Sequence, residues 1–177
     1  MSSLPLHPAI VHLPLGLAFI MPALTVGFAL ALWRGRVRPR AWLTVIALQG
    51  VLLAGGLVAM NTGEREEDRV EAVVPEVALG RHEEYAEQFV WATGVTLALA
   101  GMVLVLRTPT AARAVTLATV AGTLVVFATA MRVGHAGGQL VYAHNAGDAY
   151  ASTAPNASAE PRAREAELRR HADDAER

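Results

Sequence analysis

The 177-residue chain contains no cysteine and no lysine, and aromatic residues make up only 6% of it. The absence of cysteine excludes disulfides, thiolate nucleophiles, cysteine-ligated iron–sulfur clusters and covalent c-type haem attachment within the chain. Schiff-base and P-loop chemistry are excluded as well, because all 15 cations are arginines. Any chemistry therefore rests on histidine, arginine, carboxylates, methionine and a few aromatic side chains.

The residues that are abundant point to a membrane. Hydrophobic residues make up 53% of the chain and charged residues 18%, which is too apolar for the surface of a soluble domain of this length. The formal net charge is −1, so the charge total gives no reason to expect a nucleic-acid partner.

Four apolar segments are each long enough, or nearly long enough, to cross a bilayer as a helix, which takes about 20 residues. They are residues 13–33, 41–60, 89–106 and 114–131, and the third is preceded by an amphipathic stretch that starts near residue 76. None shows the two-residue alternation of a barrel strand. The sequence therefore predicts an all-α membrane protein, a four-helix transmembrane bundle.

The charges between these segments predict the orientation. Residues 34–40 contain four arginines and no acid, Arg107 and Arg113 flank the third connection, and residues 61–88 contain nine acidic residues. By the positive-inside rule the arginine-rich loops are cytoplasmic and both termini lie outside.

We expect a multi-pass protein of the bacterial cytoplasmic membrane, with a retained first helix because no cation precedes it. Residues 1–150 form its four-span domain, and 151–177 a polar, mobile extracytoplasmic tail that includes His171.

Two motifs flank the predicted bundle. The first, H-P-x-x-x-H-x-P, comprises His7, Pro8, His12 and Pro14. Pro14 removes one backbone donor inside the first helix and predicts a break or kink near His12. For the two histidines, helix capping by His7 and a hydrogen bond from His12 to a neighbouring carbonyl remain alternatives to ligand binding.

The second motif, G-x-x-G-G-x-L-V-Y-x-H, spans residues 134–144. Its paired glycines, Gly137 and Gly138, predict the end of the fourth helix and a close turn over the bundle, with Tyr142 in the lid that follows. Arg132 precedes it and suits an acidic cofactor group, although interfacial snorkelling explains this arginine equally simply.

These two motifs, together with His82 before the third apolar segment, resemble the bacterial membrane family catalogued as domain of unknown function 2231. The likeness covers residues 4–148. It implies a four-span protein, and because relatives are fused to cytochrome c or Rieske-type domains, it also implies a redox setting. No activity is assigned to the family.

The histidines suggest the leading hypothesis, because five of the six lie on the predicted outer side. We expect b-type haem held by imidazoles from different helices, with His12 and His135 as the first pair and His82 as the alternative partner. The further candidate cofactor contacts are His7, His144, Arg132 and Tyr142. Electrons would pass between quinol and an extracytoplasmic carrier such as a cytochrome c or Rieske-type protein.

Two other functions remain open from the sequence. One is a Zn or Cu site built from histidines, with His12, His135 and His82 as the first ligands and His7 and His144 as others. The other is a non-enzymatic accessory subunit of a larger membrane complex. A hydrolase is disfavoured because no serine or threonine lies in a recognisable nucleophile motif near these histidines.

Overall fold

The computed structural model describes residues 6–151, and all regular secondary structure in that range is helical. The helices are α1 (Leu6–Ile10), α2 (His12–Trp33), α3 (Trp42–Glu64), α4 (Glu67–Glu71), α5 (Glu76–Val105), α6 (Pro109–Tyr142) and α7 (Asp148–Ala151), with a 3-10 turn at Pro39–Ala41 before α3. The predicted polar tail, apart from Ala151, lies outside the described residues.

Four of these segments are long and apolar enough to cross a membrane: α2 with the end of α1, α3 with its preceding turn, α5 and α6. This confirms the predicted all-α, four-span fold. Helices α2 and α5 do not pair; instead α2 packs against α3 and α6, and α5 packs against the same two helices. The four helices thus form a closed bundle in which each neighbour along the chain runs in the opposite direction.

The two ends of the bundle differ in composition. The arginine end holds the α2–α3 and α5–α6 connections, with Arg34, Arg36, Arg38, Arg40 and Arg107. The histidine end holds α1, α4 and α7, the start of α2 and α5, and the end of α3 and α6. All candidate histidines from the sequence, His171 excepted, lie at or near this second end.

A one-residue break at Val11 separates α1 from α2. The Val11 N–H donates to the His7 carbonyl, and the Leu15 N–H donates to the Val11 carbonyl. Pro14 has no N–H, so the Ile10 carbonyl lacks its usual helical partner. Val11 itself keeps helical angles, with φ −62° and ψ −22°, so the bend predicted near His12 from Pro14 stays a prediction.

Helix α6 is longer than its apolar segment. It continues to Tyr142, so Gly137 and Gly138 lie inside the helix, and the prediction that they end it is wrong. Glycine is tolerated inside membrane helices, where the backbone keeps its own hydrogen bonds. The chain instead turns at Asn145, whose φ of 53° is left-handed, a conformation that asparagine adopts more readily than most residues.

Small residues allow close helix packing, as expected in lipid. A Cβ added to Gly55 would lie 3.4 Å from the Pro14 ring, and one added to Gly56 would lie 3.1 Å from Phe89. These contacts bring α3 against α2 and α5. A Cβ added to Gly94 on α5 would meet no neighbour within 4 Å.

The bundle interior is more polar than the sequence analysis expected. Trp42 and Gln49 are buried, and the Trp42 indole donates to the Ala100 carbonyl at 2.9 Å. Six buried threonines accompany them: Thr25, Thr93, Thr96, Thr116, Thr119 and Thr123. Five of these hydroxyls donate to a carbonyl in the preceding turn of their own helix, so they are buried without needing a partner helix. The three- and four-residue spacing of the threonines is a signal that sequence reasoning missed.

Candidate functional site

Two histidines from different helices meet at the histidine end. His7 lies in α1 and His82 in the second turn of α5. Their ring centroids are 6.3 Å apart and the ring planes meet at 88°, an edge-to-face arrangement. Both were candidates from sequence, but neither belonged to the pair that was ranked first.

The His7 ring is fixed by α3. Its Nδ1 lies 2.9 Å from the Ala59 carbonyl oxygen and 3.3 Å from Thr62 Oγ1. Because the carbonyl only accepts, this bond assigns the proton to Nδ1 and leaves Nε2 as an acceptor in the neutral ring. Gly63 lets the ring lie against α3, since a Cβ there would be 3.3 Å from His7 Cε1. A ring N–H that donates to a backbone carbonyl is the usual way to orient a metal-binding imidazole.

The His82 ring lies between α5 and α6. It interacts with the Val133 backbone carbonyl, yet its Nδ1 is buried and has no hydrogen-bond partner in the part of the chain that the structure describes. A Cβ on Gly137 would lie 3.2 Å from His82 Cε1. An unsatisfied buried nitrogen costs about 1–3 kcal/mol, so a bound group that used this nitrogen would gain that free energy back.

His82 also joins the two sequence motifs. It contacts His7 of the first motif through its ring edge, and it packs against Gly137 of the second. Residues near opposite ends of the sequence therefore surround one imidazole. This gives Gly137 a role in packing rather than in ending a helix.

His12 and His135 are both exposed. His12 Nδ1 lies 2.5 Å from the Pro8 carbonyl, so the carbonyl hydrogen bond left open by the sequence is present. His12 precedes Leu15 by about one turn, and Leu15 is the side chain nearest to Gly134, at 3.9 Å from an added Cβ. The two histidines therefore lie on neighbouring helices at similar depth. Their exposure removes the reason for ranking this pair first, which was proximity to the apolar core, and the pairing stays a prediction.

The other predicted contacts are spread over the same end. The Arg132 guanidinium lies 5.2 Å from the centre of the Tyr85 ring, a cation–π contact between α6 and α5. Tyr142 is 89% exposed and covers nothing in the described structure. His144 lies beyond the end of α6 and is half-buried.

A cavity of about 240 Å³ lies between the start of α5 and the end of α6. Its lining residues are Pro75, Val77, Ala78, Arg81, Ala136, Gln139, Leu140 and His144. His82 and Gly137 do not line it, although the residues before them, Arg81 and Ala136, do. Of the residues predicted to bind a cofactor, His144 is the one that lines this cavity.

Within residues 6–151, no three histidine, aspartate or glutamate side chains are close enough to hold a metal ion. The structure brings His7 and His82 together but does not gather His12, His135 and His82 into one site. A two-imidazole site is therefore the largest ligand cluster of these types that the described structure offers.

A second contact at this end was not predicted. The Tyr150 hydroxyl of α7 donates to Glu66 Oε2 at 2.6 Å, and the Arg69 guanidinium lies 5.5 Å from the Tyr150 ring centre. Burial, followed by the hydrogen bond and the charge of Glu66, raises the pKa of Tyr150 to about 12. The contact holds α7 against α4, above a small apolar cluster that includes Val74 and Leu140.

The fold and these contacts define a four-span helical membrane protein with a histidine pair at one end of the bundle. The chain belongs to the family of predicted membrane proteins described as domain of unknown function 2231, whose sequence profile matches residues 3–149. Membership confirms the resemblance drawn from the two motifs. No curated protein and no solved structure matches the chain.

Proposed function

We propose that the protein is a membrane redox protein that binds b-type haem at its histidine end and passes electrons between quinol and an extracytoplasmic carrier. The observation that carries this proposal is the meeting of His7 and His82, 6.3 Å apart between ring centroids. It revises the ligand pair that the sequence favoured, because His7 and His82 are half-buried and lie against neighbouring helices, whereas His12 and His135 are exposed.

His7 and His82 would each hold the haem iron through one ring nitrogen. His7 presents Nε2, because Nδ1 donates to the Ala59 carbonyl, and the buried Nδ1 of His82 has no partner in residues 6–151. The 6.3 Å between the ring centroids brings both imidazoles to one place at the histidine end, where they would hold the iron together. Bis-histidine haem uses two protein ligands, whereas zinc sites normally use three or four. The two-imidazole site therefore favours haem by ligand count.

Neighbouring residues support the same site. Tyr85 lies about one turn after His82 in α5, and the Arg132 guanidinium stacks on the Tyr85 ring. This contact places a cation near His82, where it would pair with an acidic group of the cofactor. Bound haem would supply one-electron exchange. The protein's own contribution is to orient the His7 ring through the Ala59 carbonyl and to pack the His82 ring against Gly137.

The proposed partners follow from the orientation. The arginine end carries arginines and no acid in residues 34–40, which favours its cytoplasmic placement in a bacterial inner membrane. The histidine end would then face outward, within reach of quinol in the bilayer and of a cytochrome c or Rieske-type protein outside it.

A single Zn or Cu ion at the same pair is the second candidate. The observation that favours it is the close approach of the rings, with Gly63 behind His7 and Gly137 behind His82. An ion between two imidazoles needs no planar slot, whereas a porphyrin does. Donation from His7 Nδ1 to a carbonyl suits either kind of centre.

The test is a reduced-minus-oxidised visible spectrum of the full chain, purified in detergent from cells supplied with haem precursor, with metal analysis of the same sample. We expect a sharp reduced α band and one iron per haem. His7→Ala and His82→Ala should each remove most of the band, while His12→Ala and His135→Ala serve as matched histidine controls and should retain it.

Other outcomes overturn the proposal in distinct ways. A colourless preparation with stoichiometric zinc or copper supports the second candidate. Loss of the band only in His12→Ala and His135→Ala assigns the haem to the exposed pair. A colourless, metal-free protein that co-purifies with redox subunits indicates an accessory subunit.

A further inference from the structure

The cavity of about 240 Å³ between α5 and α6 combines apolar walls with hydrogen-bond donors. Val77, Ala78 and Leu140 form part of the apolar wall. Arg81 and His144, from opposite sides, supply a guanidinium and an imidazole. No carboxylate lines the cavity, and Arg81 forms no ion pair or hydrogen bond with any other residue between 6 and 151. Such a lining suits a ligand that has an apolar body and hydrogen-bond acceptors.

The His144 imidazole, one of the two donors, belongs to the turn that follows α6. The left-handed Asn145 ends the helix, and the Ala146 N–H donates to the Leu140 carbonyl at 2.9 Å. His144 lies just before Asn145 in this turn, where its N–H donates to the Gln139 carbonyl at 3.2 Å, and it lines the cavity. On the α5 side of the cavity, the guanidinium comes from Arg81, the residue before His82.

We propose that this cavity binds the head group of a membrane quinone, with Arg81 and His144 donating to its carbonyl oxygens. A quinone ring is planar, apolar on its faces and uncharged, and it presents acceptors at opposite edges. A phosphate group is more often held by several cations or backbone N–H groups, and here Arg81 is the only arginine in the lining. The nine acidic residues between 61 and 88 also oppose an anionic ligand at this end.

This inference rests on the proposed function, because it assigns a site to the quinol partner. It makes a separate prediction, however, since quinone binding is measurable whether or not haem is present. A haem-containing protein that does not bind quinone here would overturn the inference alone. A colourless protein that does bind it would overturn the haem proposal alone.

The experiment is photolabelling of the full chain in phosphatidylcholine nanodiscs with a short-chain azidobenzoquinone, followed by peptide mapping and by competition with unlabelled quinone. We expect the label on the peptides that contain residues 75–81 and 136–144. Arg81→Gln and His144→Ala should each raise the concentration needed for half-maximal competition by about tenfold, the loss expected for one hydrogen bond. Arg65→Gln, an exposed arginine of the same end that does not line the cavity, is the matched control and should leave competition unchanged.

Three results would overturn the inference. The first is labelling confined to other peptides, and the second is an equal effect of Arg81→Gln and Arg65→Gln. The third is loss of labelling when phosphatidylglycerol replaces part of the phosphatidylcholine, which would assign the cavity to an anionic lipid head group.

Discussion

The contact between Gly122 and Thr96 makes the sharpest prediction about the bundle. A Cβ added at Gly122 would lie 2.6 Å from Thr96 Oγ1, 3.0 Å from its Cγ2 and 3.3 Å from its Cβ. Thr96 is 1% exposed, and its hydroxyl already donates to the Ala92 carbonyl at 2.7 Å. Rotation of the threonine would exchange one clash for another, so Gly122→Ala must push α6 away from α5.

The expected size follows from two opposing effects. Overpacking costs about 1–3 kcal/mol, and replacing glycine by alanine in a helix returns up to about 1 kcal/mol. Gly122→Ala should therefore lower the free energy of unfolding by about 1–2 kcal/mol. Thr96→Ala removes Oγ1 and Cγ2, the two atoms that clash most, so the double variant should recover at least about 1 kcal/mol of coupling.

The assay is reversible unfolding by sodium dodecyl sulfate in mixed micelles, followed by circular dichroism. Gly94→Ala on α5 is the control, because an added Cβ there meets no neighbour within 4 Å. It should be neutral or slightly stabilising. Equal stabilities of Gly122→Ala and Gly94→Ala would refute the close α5–α6 contact. The contact would also be refuted if Gly122→Ala lowered the free energy of unfolding by the same amount in the wild type and in the Thr96→Ala variant.

Two further predictions concern the histidine end. A Cβ at Gly137 would lie 3.2 Å from the His82 ring, whereas a Cβ at Gly138 would meet open space. In the same unfolding assay, Gly137→Ala should therefore be less stable than Gly138→Ala by about 1 kcal/mol or more. Equal stabilities of the two variants would contradict the contact between Gly137 and His82. Tyr150 should ionise near pH 12, measured as the difference in tyrosinate absorbance between wild type and Tyr150→Phe, and Glu66→Gln should lower that midpoint. The pKa of Tyr150 in the folded protein exceeds the value of about 10 expected in the unfolded chain. The contribution of this contact to stability should therefore be full below pH 10 and lost as the pH rises towards 12. A Tyr150 midpoint near pH 10 in the folded protein would contradict the contact with Glu66.

The membrane helices were predictable because each is marked by an unbroken apolar run. The start of α2 at His12 and the start of α3 at Trp42 lie within one residue of the expected limits. The end of α6 was not predictable in the same way. Glycine often ends a helix in water, but it does so less reliably in a membrane bundle, where the backbone groups keep their hydrogen bonds within the helix. The buried threonines were missed because they bond to their own helix and therefore interrupt no apolar segment.

The histidine pair shows a second limit of sequence reasoning. His7 and His12 are five residues apart, which at 3.6 residues per turn is a rotation of about 140°, so only one of them can face a given neighbouring helix. In a soluble helix the polar face would reveal which one. Here α2 is apolar on all sides, and the rotation is set by contacts such as that of Pro14 with Gly55.

The most direct test of the proposed centre is the spin state of its ferric iron, measured by electron paramagnetic resonance on the full-length protein. Two imidazole ligands predict a low-spin signal in the wild type and in His135→Ala. His82→Ala should convert the signal to high spin, and added imidazole should restore the low-spin form. A low-spin signal that persists in both His7→Ala and His82→Ala, or the absence of any haem iron from the wild-type protein, would contradict coordination by this pair.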